Sequence, residues 1–395
     1  MKKTPDISVL IVNWRSGDMT RALVKNLRKQ RFVSRDGGVG TLEFIVTDNA
    51  SGPDEEPHLK ALEADGVTVI RSANNSGYAL GMNLAAERAK GDFLLLSNPD
   101  VMAFRGALAA LIEHLRRHER CGAAGPRGYL DAQRFFQLPP TDLPGLGELL
   151  SETLARTYRG AGRCHARART ERAVEVWTAI DAVSRPMISG FCMLMPAALA
   201  RDLGPFDKGF PFYFEDADLC LRLHRKGFST DYVPRAQMVH FFNRSAGQAQ
   251  DLAWSRYGVS RRRFFRSRYG WPGRAAYDLL NAFTASRAGQ GHLFAPMIDL
   301  GEVRDVPTLE VPGAGPYVAE ISADPGFVFA AGRLDVSRRF SIPEEVWSGL
   351  APAPYYVRFV HRGGDWDVLG TYKLTKVDGQ APMNAELAAA GASHG

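Results

Sequence analysis

The stretch "ISVLIVNW", residues 7–14, decides the fold. Apart from Ser8, its first six residues are apolar, and most of them are β-branched. An apolar run of this kind is typical of a strand that is buried on both faces, as in the parallel sheets of α/β proteins. Asn13 and Trp14 follow at its carboxyl end, so polar side chains begin where the predicted strand stops.

Outward from this strand, short apolar runs alternate with helical patterns. Further strands are predicted at 43–51, 67–72 and 92–100, and helices at 20–30, 57–64 and 76–91. Strands and helices that alternate at this spacing predict βαβ units. We therefore expect an α/β protein whose first domain has a Rossmann-like, mostly parallel, open sheet.

The composition is that of a globular protein of two or three domains, with 395 residues, 45% hydrophobic and 23% charged. The apolar run after Lys2 and Lys3 is too short for a signal peptide, and no run approaches the ~18 apolar residues of a membrane-spanning helix. We therefore expect a cytoplasmic protein. The 4 cysteines are widely spaced without a CxxC pair, which gives no support to a zinc site or a disulfide framework.

Polar residues gather at the predicted strand ends. Asn13, Asp48 and Asn98 to Asp100 stand at such ends, and ligands of open α/β sheets bind beyond this edge. The sequence has neither a GxxxxGK[ST] loop nor a GxGxxG after the first strand, which argues against Walker-type and dinucleotide binding. A diphosphate can instead be held by a divalent cation on a carboxylate, for which Asp100 is the candidate. Asp48 and Asn49 are also typical turn residues, and that alternative stays open.

Five motifs in order carry a family resemblance: "VLIVNW" (9–14), "VTDNASG" (46–52), "NNSGYALGMN" (74–83), "LLLSNPDV" (94–101) and "GPFDKGFPFYFEDADLCLRLHRKGF" (204–228). Together they resemble the family 2 glycosyltransferases of GT-A fold, particularly their rhamnosyltransferase-like branch. The resemblance covers about residues 6–270. It implies a sugar-nucleotide donor and a divalent cation, Mg²⁺ or Mn²⁺.

The resemblance also implies roles for residues along the sheet edge. The donor-binding residues would be Asn13, Asp48, Asn75, Gly77, Asn83 and Asn98. Asn98-Pro99-Asp100 stands where most relatives have an Asp-x-Asp metal motif, and only Asp100 remains as a metal ligand. His240 would make a further metal or phosphate contact, with Arg244 and Ser245 near phosphate.

The carboxylates of "FEDADLCLRL" match the catalytic Glu-Asp pair of the family. Asp216 matches the general base that deprotonates the acceptor hydroxyl, with Glu215 beside it. The acceptor sugar would pack against an aromatic surface formed by Phe212, Tyr213 and Phe214. Gly190 would allow the sugar to approach closely. A plainer interpretation makes Glu215 and Asp216 first-turn residues that complement a helix dipole, and pairs Asp218 with Arg222 four residues on.

The rest of the chain predicts further units. We divide the whole chain into four units. The first is a glycosyltransferase domain (1–250), which contains a variable insertion (131–186) that binds acceptor or forms a lid. It is followed by a basic helical extension (251–300), a small β module of unassigned role (301–375) and a disordered tail (376–395). The insertion carries an arginine-rich segment, 156–172. This segment is either a solvated helix surface, or it binds an anionic partner, which would be the diphosphate of an acceptor or a membrane. Segment 252–270 interleaves cations with aromatic residues and favours membrane contact over nucleic acid.

The resemblance therefore implies a metal-dependent inverting glycosyltransferase of surface polysaccharide biosynthesis. It would move a sugar, with rhamnose favoured by the branch, from a nucleoside diphosphate to a glycan or lipid-linked saccharide. We expect it at the inner face of the cell membrane. The alternative is a non-catalytic sugar- or nucleotide-binding protein on the same fold.

Overall fold

The computed structural model describes residues 4–211, 213–241, 250–286, 297–313, 315–327, 329–363 and 366–377, with the backbone alone for 159 and 250–255. The predicted tail lies almost wholly outside these residues, as do Phe212, Arg244 and Ser245. In the part of the chain so described, no helix is both long enough and apolar enough to cross a membrane.

The larger sheet contains β1 (Ile7–Asn13), β2 (Leu42–Asp48), β3 (Thr68–Arg71), β4 (Phe93–Ser97), β5 (Val101–Ala103), β6 (Cys121–Tyr129), β7 (Val183–Arg185), β8 (Cys192–Pro196) and β9 (Ser229–His240). Its strand order is β3-β2-β1-β4-β8-β6-β9-β5, and β7 pairs with β9. The pairs within β3-β2-β1-β4 are parallel, as predicted. The other half is mixed, because β8 runs antiparallel to both β4 and β6.

The helices of this part of the chain are α1 (Gly17–Leu27), α2 (Glu56–Ala64), α3 (Tyr78–Arg88), α4 (Ala107–Arg117), α5 (Leu146–Thr157), α6 (Arg159–Thr178), α7 (Ala197–Leu203), α8 (Glu215–Arg225) and α9 (Gln250–Ala285). Val9 and Ile11 pack on one face with residues of α1 and α4. Leu10 and Val12 pack on the other with residues of α3 and α8. Successive side chains of a strand point to opposite faces, so burial of both faces explains the unbroken apolar run of β1.

The C-terminal module contains β10 (Ile298–Val303), β11 (Thr308–Glu310), β12 (Tyr317–Ser322), β13 (Ala331–Asp335), β14 (Arg339–Ser341), α10 (Glu344–Gly349), β15 (Pro354–His361) and β16 (Val368–Lys376). One sheet has the order β10-β16-β15-β12-β13, and β11 pairs with β14. These strands confirm the predicted α/β class with an added β module. The predicted domain boundaries remain predictions.

The insertion packs against this module. Phe136 is fully buried in the module's core, with its ring centroid 5.9 Å from that of Phe340. Gln137 and Gly332 exchange two backbone hydrogen bonds of 2.9 Å. Glu320 of β12 is fully buried and forms ion pairs with Arg169 of α6 and with Arg358. Apolar packing and buried charge therefore both join the insertion to the module.

Candidate active site

Asn13 and Asp48 end the neighbouring parallel strands β1 and β2 and are register partners. The Asn13 amide donates to Oδ1 of Asp48 at 2.9 Å and to Glu55 at 3.1 Å. Its carbonyl oxygen accepts from the hydroxyls of Ser16 and Thr20. Asn13 is fully buried and its amide is fully engaged. The structure therefore gives Asn13 the task of orienting Asp48, rather than direct contact with a ligand.

Asp48 is held at the strand end by the turn that follows it. Oδ1 accepts from the Ser51 hydroxyl at 2.5 Å, and Oδ2 accepts from the Ser51 N–H at 3.2 Å. Ala50 between them has a φ of 58°, in the left-handed region that non-glycine residues seldom adopt. Local strain of this kind persists where the surrounding contacts hold it, and it fixes the carboxylate at the sheet edge.

The segment before α3 lies beside this turn. Asn49 donates to Oδ1 of the exposed Asn75 at 3.0 Å and accepts from the Ser76 N–H at 3.1 Å. Gly77 has a φ of 90°, and a Cβ there would lie 2.7 Å from the carbonyl oxygen of Pro211. Only glycine allows the loop before α3 to approach the loop before α8 this closely.

Asn83 lies one turn further along α3 and is buried. Its amide donates to the Phe206 carbonyl at 2.9 Å, and its side-chain oxygen accepts from the Phe206 N–H at 3.1 Å. Both ends of the side chain are used by the loop that leads to α8. Asn83 thus fixes the loop before α8 against α3.

Asp100 and His240 meet at the same edge of the sheet. Asp100 precedes β5, His240 ends β9, and β5 pairs with β9 at Val101 and His240. His240 Nε2 lies 3.2 Å from Oδ1 of Asp100 and 3.3 Å from the Asn98 amide. The imidazole stacks on Phe191, and Asp100 and His240 are both buried. The structure thus brings the imidazole of His240 to the carboxylate and the amide of the Asn98-Pro99-Asp100 motif, which is distant from it in the sequence.

Glu215 and Asp216 begin helix α8. Oδ2 of Asp216 accepts from the Gly190 N–H at 2.9 Å, and Oδ1 accepts from the Ala217 N–H at 2.8 Å. A Cβ on Gly190 would lie 3.0 Å from Cβ of Asp216, so any larger residue at this position would press on the Asp216 side chain. The predicted pair of Asp218 with Arg222 is present, at 2.7 Å across one helical turn.

The two adjacent carboxyls have altered affinities for protons. Burial, and then the charge of Asp216, raises the pKa of Glu215. Burial also raises the pKa of Asp216, although hydrogen bonds from Gly190 and Ala217 favour its ionised form. Oε2 of Glu215 is buried without a hydrogen-bond partner in the described residues. Because its carboxylate lacks the backbone donors that stabilise Asp216, Glu215 is the member of the pair that keeps a proton longer as the pH rises.

Tyr78 belongs to this site and escaped the sequence analysis, although it lies within the quoted motif 74–83. Its hydroxyl lies 3.4 Å from the Gly190 carbonyl. Burial, together with the charges of Glu215 and Asp216, raises the pKa of Tyr78 well above its usual value, and the charge of Asp100 raises it further. Partial burial and charges of the same carboxyls raise the pKa of Tyr213 too. Asp100, Glu215 and Asp216 therefore share one electrostatic neighbourhood.

Tyr213 and Phe214 lead into α8 in an uncommon backbone conformation, with φ values of 64° and 67°. Tyr213 is 40% exposed and its ring meets Tyr257 at 5.8 Å. Phe214 is 7% exposed and packs on Phe264 of α9, with ring centroids 5.6 Å apart. Phe214 was expected to face an acceptor, but α9 covers it, so of the described aromatic residues in this motif Tyr213 is the one that faces solvent.

A second set of ligand-type side chains lies far from this edge. His114, Cys121 and Asp231 have their ligand atoms within 4.8 Å of one another. His114 and Asp231 are joined at 2.8 Å, and the Cys121 thiol donates to the Ala123 carbonyl at 3.3 Å. Asp231 lies near the start of β9 and His240 at its end, so these residues take no part in the candidate active site.

The chain is similar in sequence to proteins of a known family. Residues 8–163 match the family model described as Glycosyl transferase family 2. The chain is 27% identical over 226 residues, 52% of its length, to the N-acetylglucosaminyl-diphospho-decaprenol L-rhamnosyltransferase of Mycobacterium tuberculosis (strain CDC 1551 / Oshkosh), of which 69% is covered. It is also 27% identical over 214 residues, 47% of its length, to the uncharacterized glycosyltransferase YfnE of Bacillus subtilis (strain 168), of which 54% is covered.

Solved structures were compared as well. The mannosyltransferase PcManGT from Pyrobaculum calidifontis, in complex with GDP-Man and Mn²⁺, aligns with a TM-score of 0.45 at 15% identity, over 73% of each chain. S. aureus TarS 1–349 aligns with a TM-score of 0.40 at 14% identity, over 71% of this chain and 72% of that chain.

Proposed function

We propose that this enzyme, a family 2 glycosyltransferase of the rhamnosyltransferase-like kind, moves a sugar from a nucleoside diphosphate to a saccharide hydroxyl with inversion at the anomeric carbon. The observation that carries the proposal is the shared neighbourhood of Asp100, Glu215 and Asp216, whose charges all act on Tyr78 and Tyr213. Structural tasks alone do not account for three carboxyls in one neighbourhood at the edge of an α/β sheet, two of which, Glu215 and Asp216, have a raised pKa.

Asp216 is the proposed general base. Its carboxylate is stabilised by two backbone N–H groups, which hold both oxygens in place and favour the ionised form. Burial works in the opposite direction and raises the pKa of Asp216, which brings a carboxylate closer to the basicity that proton abstraction near neutral pH requires. Glu215, which retains its proton longer, is proposed to hold the local charge low while Asp216 accepts the acceptor proton.

Asp100 and His240 are proposed to hold a divalent cation. Two neighbouring ligands of an octahedral cation, each at ~2.1 Å, lie about 3 Å apart, which fits the 3.2 Å between Oδ1 of Asp100 and Nε2 of His240. A mixed oxygen and nitrogen donor pair favours Mn²⁺ over Mg²⁺. A cation bound there would neutralise the charge of the departing diphosphate.

The donor is proposed to lie along the edge from Asp48 to Asn98. Asp48, Asn75, Gly77 and Asn98 are the candidates for contact, while Asn13 and Asn83 hold these elements in register through their buried amides. Similarity to the mycobacterial L-rhamnosyltransferase supports rhamnose as the sugar and a saccharide linked through diphosphate to a polyprenyl chain as the acceptor. Such an acceptor would place the enzyme at the inner face of the cell membrane.

Two variants and a control test the assignment. Asp216→Asn should lower transfer by about 10²- to 10⁴-fold, because the amide keeps the shape and loses the basicity, while nucleotide affinity is retained. Asp100→Ala should remove the Mn²⁺-dependent part of nucleotide binding, measured by calorimetry with uridine, guanosine and deoxythymidine diphosphates. Asp202→Asn, at an exposed ion pair of α7, is the control. Full activity of Asp216→Asn would show that Asp216 is not the base. Nucleotide binding without turnover by the wild type would favour the non-catalytic alternative.

A further inference from the structure

Helix α9 changes direction at Gly270, where φ is 68° and ψ is −157°. A second helical segment runs from Trp271 to Ala285, with Pro272 in its first turn, where a missing N–H costs no helical hydrogen bond. The break allows this segment to follow its own course along the protein. We call residues 271–285 the distal segment of α9.

The inner face of the distal segment packs against the rest of the protein. Tyr277 is buried in a cluster with Phe265 and with Leu149 of α5. The hydroxyls of Thr284 and Thr153 lie 3.5 Å apart, so α5 runs alongside the segment. One apolar face is sufficient to attach a surface helix to a protein.

The opposite face is apolar as well, and it is exposed. Trp271, Leu279 and Phe283 are 63%, 71% and 37% exposed. Together with the exposed Ala275 they recur every four residues, which places them on one side of a helix. On the adjoining helix α5, Leu150 and Leu154 are also exposed and also four residues apart. Isolated exposed apolar residues are ordinary, but a face of this extent marks an interaction surface.

Cations flank this face. The guanidinium groups of Arg266 and Arg274 lie over the Trp271 ring, at 4.2 Å and 5.0 Å from its centroid. Arg274 has Asp278 at 3.7 Å, whereas exposed Arg266 forms no ion pair within the described residues. A tryptophan at the margin of an apolar helical face, bordered by arginines, is the composition of helices that lie in a membrane interface.

We propose that the distal segment of α9 lies in the headgroup and acyl boundary of an anionic membrane, with Trp271, Leu279 and Phe283 inserted and Arg266 among the lipid phosphates. A second copy of the chain fits this surface less well. Each copy of this face carries Arg266 and Arg274 against Asp278, so two copies together would hold an excess of positive charge, whereas lipid phosphates supply the opposite charge. The proposal does not depend on the proposed function, since lipid binding requires neither donor nor transfer.

Vesicle sedimentation of the full chain tests the proposal, with vesicles of phosphatidylcholine alone and of phosphatidylcholine mixed with phosphatidylglycerol. The wild type should partition onto the phosphatidylglycerol vesicles and be released progressively by added salt. Leu279→Ser should weaken the partition about tenfold, and Arg266→Gln should reduce its salt dependence. The matched control is Val336→Ser, because Val336 is 74% exposed and belongs to the C-terminal module.

Three outcomes would overturn the proposal. The first is the absence of wild-type sedimentation with either lipid, and the second is equal sedimentation of the Leu279→Ser variant and the wild type. The third is a wild-type dimer in light scattering that Leu279→Ser converts to a monomer, since the face would then bind a second copy. Sedimentation can succeed while the Asp216→Asn test of transfer fails, so the two proposals are separable.

Discussion

The backbone N–H of Gly190 donates a 2.9 Å hydrogen bond to Oδ2 of Asp216, the carboxylate that we assign as general base. The donor lies two residues before β8 and the acceptor lies in the first turn of α8, so the contact joins the end of a strand to the start of this helix. Gly190, expected from the sequence to make room for an acceptor, thus also makes room for Asp216.

Gly190→Ala should lower kcat by about 10- to 100-fold, because the new Cβ would lie 3.0 Å from Cβ and 3.1 Å from Oδ2 of Asp216 and displace the carboxylate. Nucleotide affinity should not change, since Gly190 is not among the candidate donor contacts. Steady-state kinetics and calorimetry measure the two effects. Gly258→Ala is the control, because nothing lies within 4 Å of the added methyl group. A wild-type kcat for Gly190→Ala would show that Asp216 tolerates displacement or is not the base.

The raised pKa of Glu215 predicts how stability changes with pH. The folded protein holds the proton above the ordinary value of 4.5, whereas the unfolded chain releases it there. The free energy of unfolding therefore falls as the pH rises from 4.5 towards the raised pKa, by about 1.4 kcal/mol per pH unit. Glu215→Gln removes this titration, so the variant should gain stability relative to the wild type with rising pH. Urea unfolding across pH measures the difference, with the exposed Glu87→Gln as control; parallel curves for Glu215→Gln and the wild type would contradict the prediction.

The left-handed backbone of Tyr213 predicts an unusual order of stabilities. At a φ of 64° a Cβ is strained and glycine is not, so Tyr213→Gly should be more stable than Tyr213→Ala by about 1 kcal/mol. In an ordinary helix or strand the order is the reverse. Thermal unfolding of the two variants compares them directly, and both lose the same exposed ring. An alanine variant at least as stable as the glycine variant would show that the turn relaxes.

Much of this site follows from sequence pattern, and the remainder depends on contacts between distant residues. Asp48 ends the apolar strand β2 and Asp100 follows the apolar strand β4, and both carboxylates lie at the predicted sheet edge. The engagement of Asn83 with Phe206 depends on how two loops meet, which no local pattern records. Phe214 is covered by α9, which begins well after it in the chain, so its motif alone gave no sign of its burial. The exposed face of the distal segment could not be recognised from the sequence for a different reason. Both sides of that helix are apolar, so the pattern does not distinguish the exposed side from the buried one.

Glu320 of the C-terminal module is buried and charged, so neutralising its carboxylate should cause a large loss of stability. Burial disfavours the ionised form of Glu320, but Arg169 and Arg358 outweigh it and lower its pKa. Glu320→Gln would leave two partly buried guanidinium groups without their carboxylate, at a cost of about 3–5 kcal/mol. Glu310→Gln, at the exposed pair with Arg339, should change stability little. Because the pKa of Glu320 is lowered, its contribution is present above 4.5 and is lost as the pH falls through the lowered value.

Chemical denaturation of the two variants at neutral pH and in acid separates the possibilities. Equal losses for Glu320→Gln and Glu310→Gln would mean that the buried cluster contributes no more than a surface pair. A difference that disappears in acid would confirm the sign of the linkage.

The packing of Phe136 within the C-terminal module has a consequence for how such enzymes can be recombined. Phe136 and Arg169 belong to the insertion, yet their partners Phe340 and Glu320 lie beyond α9. A boundary drawn between α9 and β10 would therefore divide one hydrophobic core between two gene fragments. Exchange of the module between relatives should succeed only when residues 131–186 are exchanged with it.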